Sequence, residues 1–407
     1  MKVSWKKIPS LKPNYILDKI EKTKSVDGNG DVSFDGFLYF EAFIALMTML
    51  KFDEVVKVHI DIEKVVSSAI ANSARSGPLD QVSVLKEINK MVDERLSGKS
   101  ERYDLLTSIS ISPELGFSEI EIEGVKIRFV ESYHEKYEAR DEEVESQDLG
   151  LSSNHDGYSK VVVSVYSKDS SAAASRALRS LDLLRSLFCL FGNHEMELIG
   201  PQNQPINVVV LGQAHSLHAS TGELVQGTCV WYEPQFRCVK PFKGKMNFKA
   251  NVDAFLSRLS DSPLRKSISN SLLLYVRGLD EVNYNSAVVQ VWSGLESLLS
   301  PSTRNSDAIS RRCAFLFDDP KFHEQVLEHL REYRNSTVHA GENSDSAKIH
   351  CYQLQFYFFR LIRFMLANIN GFTRLDEVIN FLDLPTAEAD LRKRYNALER
   401  ALSFRGY

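Results

Sequence analysis

The residues whose types best suit chemistry are Arg334 and His339, in the stretch RNSTVH. A guanidinium group binds phosphate and carboxylate oxygens through a planar fork of N–H donors. An imidazole side chain can accept or deliver a proton near neutral pH. The two residues can therefore act on one substrate only if the fold brings both side chains to one groove.

The backbone around these residues decides whether they can meet. On one continuous helix, a separation of five residues would place the two side chains roughly 140° apart, on different faces. Asn335 and Ser336 compete for backbone hydrogen bonds, and Gly341 favours a left-handed helix end. The sequence therefore predicts that a helix over 321–333 does not continue, and that a bend brings the arginine and the histidine together.

A second arginine and histidine at similar spacing, Arg128 and His134, provide an internal control. They lie in an alternating β pattern with no amphipathic helix before them. Arg334 and His339 instead follow a helix and precede a long apolar one. Their context therefore differs from that of a chance match.

Helical patterns fill the segment that contains the pair. Ser262 and Pro263 favour a helix start, and Pro301 favours a helix end. We predict that residues 251–407 form an all-α antiparallel bundle, because long helices joined by short connections pack in this way. The predicted helices span 263–277, 284–300, 307–317, 321–333 and 347–370, and two shorter ones follow Thr373 and Pro385.

Residues 1–245 have a mixed pattern and predict an α+β domain. Apolar and polar residues alternate on both sides of Gly124, which is typical of a hairpin. The acidic stretch Glu135–Gly150 predicts an exposed loop. Predicted helices span 36–50, 52–74, 79–96 and 171–191, and predicted strands lie within 103–130 and at 161–167, 206–212 and 228–233.

Composition and charge restrict the class of protein. A chain of 407 residues is expected to form two or three domains, and 43% hydrophobic with 25% charged residues is typical of soluble globular proteins. No apolar run reaches the length of a membrane span and the first residues have no secretory pattern, so we predict a cytoplasmic protein. The net charge of −5 argues against bulk coating of nucleic acid, although a local basic groove is compatible with it.

Metal binding by loops or cysteines is weakly supported. The stretch DGNGDVSFDGF, residues 27–37, begins like a calcium loop, but Val32 and Leu38 stand where glycine and glutamate are needed. We therefore predict a polar turn. The cysteines are scattered and contain no C-x-x-C pair, which favours reduced thiols over a disulfide framework or a zinc ribbon.

A metal site built on histidines is an alternative to the Arg334 and His339 pair. His215 and His218 have a helical spacing, and His194 and Glu195 lie upstream, but no third ligand stands at a recognisable offset. A metal-dependent nuclease built on these residues would lose its activity in EDTA. We predict that no metal is bound.

Three motifs occur in order after residue 251. The first is AVVQVWSGLESLLS, with Trp292, Glu296 and Leu298; the second is ISRRCAFLF; the third is LREYRNSTVHAGE, with the form R-N-x-x-x-H. On these motifs the segment from about Asn251 to Leu402 resembles a HEPN domain (higher eukaryotes and prokaryotes nucleotide-binding). The resemblance is to the Apea-like branch of bacterial defence and abortive-infection proteins.

This resemblance implies a metal-independent endoribonuclease that needs no cofactor and works as a homodimer through its C-terminal bundle. RNA carries its own nucleophile in the 2′-hydroxyl, so the protein must move protons and stabilise the phosphorane. His339 is then the candidate acid or base, and Arg334 the candidate for stabilising the transition state. Asn335 is expected to orient the histidine or bind phosphate, and Glu296 to hold Arg334 in place.

Further partners follow from the same resemblance. Arg311 and Arg312 are candidates for phosphate binding. We expect an RNA substrate, tRNA or mRNA, and a toxic activity that is restrained at rest. Residues 1–245 are expected to act as a sensor or specificity domain, with a phage-derived trigger or a cognate regulator as partner.

Non-catalytic alternatives exist for the protein and for each residue. HEPN-like bundles can bind nucleotides or RNA, or act as scaffolds, without cutting; the presence of both Arg334 and His339 argues against this. Arg334 can also interact with a helix dipole, and His339 can be a loop residue. Glu296 can instead pair with Arg311 or Arg312 to hold the bundle together.

Overall fold

The computed structural model describes residues 2–28, 31–147, 149–197, 204–300, 308–340 and 346–407, without the side chains of residues 339 and 340. The chain is mixed α+β, with a six-stranded sheet and many helices. The predicted α+β class is confirmed, since the last strand in the described residues ends at Tyr232 and helices follow it.

Residues 2–98 have a hydrophobic core of their own. The elements are β1 (Val3–Trp5), α1 (Pro13–Glu21), β2 (Lys24–Val26), β3 (Val32–Phe34), α2 (Phe37–Met49), β4 (Leu50–Phe52), α3 (Glu54–His59), α4 (Ile62–Ser76) and α5 (Gln81–Ser97). Leu17, Leu46, Ile70 and Ile88 are fully buried there. A separate core is what defines a domain-like unit.

Two local predictions for this unit have different outcomes. The predicted helix 52–74 is wrong, because the chain breaks at Ile60 and Asp61 caps α4 by accepting a hydrogen bond from the Lys64 N–H. The polar turn predicted over residues 27–37 is shorter than expected, because Val32–Phe34 form β3 and Phe37 begins α2; residues 29 and 30 lie outside the described residues. The turn joins β2 to β3, and the Asp31 N–H donates to the Asp27 carboxylate at 2.8 Å.

The central sheet lies in the middle of the chain. Its elements are β5 (Glu101–Ile109), β6 (Glu119–Ile122), β7 (Val125–Val130), α6 (Ala139–Ser146), β8 (Ser159–Ser167), α7 (Ser170–Gly192), β9 (Ala214–Ala219) and β10 (Val230–Tyr232). The strand order is β10-β9-β5-β8-β7-β6, and each neighbouring pair is antiparallel. Helix α7 covers one face, since Leu184 and Phe188 share a core with Leu105 and Val163.

The acidic stretch 135–150 covers part of the other face, so the predicted exposed loop is wrong. It forms a short 3-10 helix over Glu135–Tyr137, followed by α6. Tyr137 packs with Leu106 and Val162, and Val144 is fully buried. Apolar side chains at helical spacing hold this segment against the sheet while its many carboxylates face solvent.

The C-terminal helices share one hydrophobic core with the sheet. They are α8 (Phe248–Asp261), α9 (Arg265–Leu279), α10 (Tyr284–Leu299), α11 (Ile309–Ala314), α12 (Pro320–Ala340), α13 (Ala347–Ala367) and α14 (Leu375–Leu382). A last helix, α15 (Glu388–Arg405), follows them and contributes no buried residue to this core. Helix α10 lies at the centre and packs against α9, α12 and α13. One hydrophobic core therefore continues across the proposed boundary between 1–245 and 251–407. The two cores of the chain are separated instead between Val92 and Leu105.

Helix α12 is longer than predicted and continues to Ala340. The predicted end near Tyr333 is wrong. Asn, Ser and Thr each cost only about 0.7 kcal/mol or less relative to alanine inside a helix. The burial of Leu327 and Leu330 against the core stabilises the helix from its other turns, so local propensity does not end it.

Two further elements differ from the sequence prediction. The predicted strand 206–212 is wrong: the N–H groups of Ile206 and Asn207 donate to the Leu279 carbonyl at the end of α9. The strand in this region is β9, immediately afterwards. Helix α8 is an additional helix. None of the helices in the described ranges is both long and apolar enough to cross a bilayer.

Candidate functional site

Arg334 lies on α12 and faces α10. Its Nη2 atom lies 3.5 Å from Glu296 Oε2, and its Nη1 donates to Asn335 Oδ1 at 3.1 Å. The Arg334 side chain is 24% exposed, so the guanidinium remains open to solvent on one side. The structure thus brings together three of the predicted site residues, and Glu296 stands where it can orient the arginine.

Two polar atoms on the same face of α12 are buried. Within the part of the chain that the structure describes, neither Arg334 Nε nor Thr337 Oγ1 has a hydrogen-bond partner. Residues three apart on a helix are neighbours, and each buried polar atom left without a partner costs about 1–3 kcal/mol. Neither atom is accessible to solvent, so a ligand would have to bind Arg334 through Nη1 or Nη2.

The position of His339 differs from the expectation. Because α12 is continuous, positions 334 and 339 lie roughly 140° apart around its axis. No bend brings them to one groove within one copy. The side chain of His339 lies outside the described residues, so its role stays a prediction.

Arg311 and Arg312 are engaged with Asp383 on the segment after α14. Arg312 is almost fully buried, and its Nε and Nη2 donate to both carboxylate oxygens at 2.9 and 2.8 Å. Its Nη1 donates to the Leu299 carbonyl at the end of α10. Arg311 is exposed and donates once, at 2.7 Å. Phosphate binding by this pair stays a prediction, and Arg311 is the member with donors open to solvent.

Comparison with known proteins assigns the chain to no family. No family model, no curated protein and no solved structure matches the chain. The resemblance to HEPN domains therefore rests on the three sequence motifs. Any function must be argued from the side chains themselves.

The histidines proposed as metal ligands do not form a site. His215 and His218 lie on strand β9, so their odd spacing directs them to opposite faces. His215 Nδ1 shares a 2.7 Å hydrogen bond with Thr107 Oγ1, and His218 bonds Ser216 and the Gly222 carbonyl. Among the described residues, no three His, Cys, Asp or Glu side chains are grouped to hold a metal ion.

His194 and Glu195 are exposed after α7, whereas the two β9 histidines are buried.

A second histidine pair lies between α12 and α13 and was not predicted. The rings of His329 and His350 are 5.2 Å apart, and Tyr333 lies 4.5 Å from His350. Burial lowers the pKa of His350, so it is held neutral. The i, i+4 spacing of His329 and Tyr333 is the sequence signal for this cluster, which packs α12 against α13.

A buried charge network joins the sheet to the C-terminal helices and was also not predicted. Arg185 on α7 contacts Asp182 at 2.9 Å and Asp280, after α9, at 2.5 Å. Arg277 on α9 bridges Asp182 at 2.6 Å and Glu233 at 3.0 Å. The network lies against a cavity of about 350 Å³. The charges are paired with one another, as buried charges must be.

The pKa of Glu233 gives this network a pH dependence. Burial raises the pKa of the carboxyl, but His215 and Arg277 outweigh burial and hold that pKa well below its usual value. A carboxyl with a lowered folded-state pKa stabilises the fold above its unfolded pKa of about 4.3, and this stabilisation is lost as the pH falls below that value.

We therefore expect Glu233→Gln to lower the free energy of unfolding by about 1–2 kcal/mol at pH 7. The gap between wild type and variant should narrow as the pH is lowered from 5 to about 3. Urea denaturation at each pH measures it, with Glu114→Gln as the control at an exposed glutamate. A gap that stays constant with pH would show that the Glu233 charge does not contribute.

Proposed function

We propose that the protein is a metal-independent endoribonuclease of the HEPN type that acts in bacterial antiphage defence by abortive infection. The observation that supports this most is the state of Arg334. Glu296 lies 3.5 Å from the guanidinium on one side, and the Arg334 side chain is 24% exposed. A guanidinium fixed in this way can bind an RNA phosphate with its remaining donors.

In the proposed reaction the 2′-hydroxyl of RNA attacks the adjacent phosphorus. His339 removes the hydroxyl proton or delivers one to the leaving 5′-oxygen, and Arg334 neutralises charge on the non-bridging oxygens. Asn335 donates to phosphate or orients the histidine. The products are a 2′,3′-cyclic phosphate and a 5′-hydroxyl, and every proton is supplied by side chains or water.

The active form is proposed to be a homodimer formed by the C-terminal helices. Positions 334 and 339 lie on different faces of a continuous α12, which favours a site shared between two copies. A composite site can pair Arg334 of one copy with His339 of the other. A two-fold axis would then produce two such sites.

A sensor or specificity role is assigned to residues 1–245, with a phage-derived trigger or cognate regulator as partner and the cytoplasm as location. Residues 2–98 contact both the helix that covers the central sheet and the C-terminal helices. Arg95 pairs with Asp169 at the start of α7 at 3.3 Å, and Glu54 pairs with Lys266 on α9 at 3.1 Å. A change in this unit can therefore reach the helices that carry the proposed site.

The deciding experiment incubates the purified protein with total RNA in EDTA and compares it with His339→Ala. Cleavage by wild type alone supports the proposal. Cleavage that EDTA abolishes would favour a metal-dependent nuclease. RNA binding without cleavage would favour the non-catalytic alternative, a HEPN-type binding or scaffold protein.

Glu296→Gln tests the support of Arg334. The substitution keeps the side-chain size and removes the charge that orients the guanidinium. We expect cleavage to slow about tenfold, equivalent to about 1.4 kcal/mol, with unchanged melting temperature. Single-turnover assays on end-labelled RNA measure this. Glu332→Gln is the matched control, since Glu332 pairs with Arg331 on the same helix at 3.2 Å; equal rates for both variants would contradict the role of Glu296.

A further inference from the structure

Helix α15 buries none of its residues against the part of its own chain that the structure describes. All residues from 386 to 407 are exposed, and the helix has no buried residue over its 18 positions. Most helix stability in proteins comes from packing an apolar face against other elements. The helix therefore requires a partner surface.

The apolar residues of α15 form one stripe with coiled-coil spacing. Leu391, Tyr395, Leu398 and Leu402 are separated by four, three and four residues. They are 37%, 62%, 65% and 53% exposed. This alternation is the a/d pattern of a coiled coil, in which the seam packs against another helix of the same kind.

We propose that α15 binds α15 of a second copy of this chain in an antiparallel coiled coil. In that arrangement Tyr395 packs on the partner copy's Leu398, and Leu391 packs on the partner copy's Leu402. All four apolar residues of each helix are then covered. The inference supplies the second copy that the proposed composite site requires, and to that extent it rests on the proposed function.

Charge at the ends of the stripe selects the antiparallel orientation. Glu388 and Arg405 continue the seam by one position at each end. An antiparallel pair places Glu388 opposite the partner copy's Arg405, whereas a parallel pair places glutamate opposite glutamate and arginine opposite arginine. Like charges at such positions destabilise a pair and opposite charges stabilise it. Arg392 contacts Glu388 of its own helix at 2.7 Å, and in the antiparallel pair it also faces the partner copy's Glu399 beside the seam.

The short seam predicts the strength of the contact. Two helices of about two and a half heptads bury less than the ~1,200 Å² of a standard interface, so we expect micromolar association by α15 alone. Sedimentation equilibrium of the full chain without RNA measures it. Leu398→Glu should raise the dissociation constant at least tenfold, and Asn396→Glu, which adds the same charge outside the seam, should change it less than twofold.

A charge exchange tests the orientation. Glu388→Arg and Arg405→Glu should each weaken the antiparallel dimer about fivefold. The double variant should associate about as tightly as wild type and more tightly than either single variant, because it restores opposite charges across the pair. In a parallel dimer each single change replaces one like-charge pair by another, and no such coupling arises.

Each outcome decides the inference. The inference is overturned by a wild-type chain that remains monomeric at about 100 μM, well above the expected dissociation constant. A dimer that Leu398→Glu leaves intact also overturns it. A monomer that binds phosphatidylglycerol vesicles or RNA through α15 also overturns it, and would make α15 a membrane-binding or RNA-binding helix. A dimer that does not cleave RNA upholds it and contradicts the proposed ribonuclease alone.

Discussion

Alanine at either Arg334 or His339 should reduce RNA cleavage by roughly a thousandfold or more, because each removes a group that acts mainly in the transition state. The protein should remain folded, since the Arg334 side chain is 24% exposed and lies outside the hydrophobic core, so its loss should cost about 1 kcal/mol or less. Single-turnover cleavage of labelled RNA and circular dichroism measure the two effects.

The double variant should be little worse than either single variant, because residues that act as one unit lose their effects non-additively. The cleavage products should end in a 2′,3′-cyclic phosphate or its hydrolysed monophosphate. Arg128→Ala is the control, because Arg128 lies on strand β7 and follows the same spacing to a histidine. Full activity in folded His339→Ala protein would remove His339 from the mechanism.

Mixing the two inactive variants tests whether the site is composite. A dimer of one Arg334→Ala chain and one His339→Ala chain retains one intact pair if the arginine and the histidine come from different copies. Random exchange should then restore about a quarter of wild-type activity, since half of the dimers are mixed and each has one of two sites. No recovery would assign both residues to the same copy.

Removal of the Arg185 side chain should cause a large loss of stability, about 3–5 kcal/mol for Arg185→Ala. The side chain is 1% exposed and bonds Asp182, Asp280 and the Val209 carbonyl. Without it, two carboxylates lose the cation that compensates their burial. Arg277 still contacts Asp182, which places the expected value toward the lower end of the range.

Chemical denaturation of Arg185→Ala and wild type at pH 7 measures this loss. Arg258→Ala is the control, because Arg258 is an exposed arginine on α8. It should change the free energy of unfolding by no more than about 0.5 kcal/mol. A small effect of Arg185→Ala would mean that water enters the network and screens the two carboxylates.

The sequence by itself determined the elements whose pattern is strong and local. Helices α2, α5, α7, α10 and α13 begin and end within a few residues of the predicted bounds, because their apolar residues recur at helical spacing. The hairpin of β6 and β7 follows from alternation about Glu123 and Gly124, both of which have positive φ. Arg334 and its neighbours could likewise be singled out from residue type and order.

Only the tertiary structure decided the features that depend on distant contacts. Helix α12 continues past its polar residues because Leu327 and Leu330 anchor it in the core, a term larger than the local propensity of Asn335 and Ser336. Strand β9 carries two buried histidines whose ring Nδ1 atoms bond Thr107 Oγ1 and the Gly222 carbonyl, partners that the strand pattern does not reveal. Periodicity describes one segment at a time, so it does not report which partner a segment will meet.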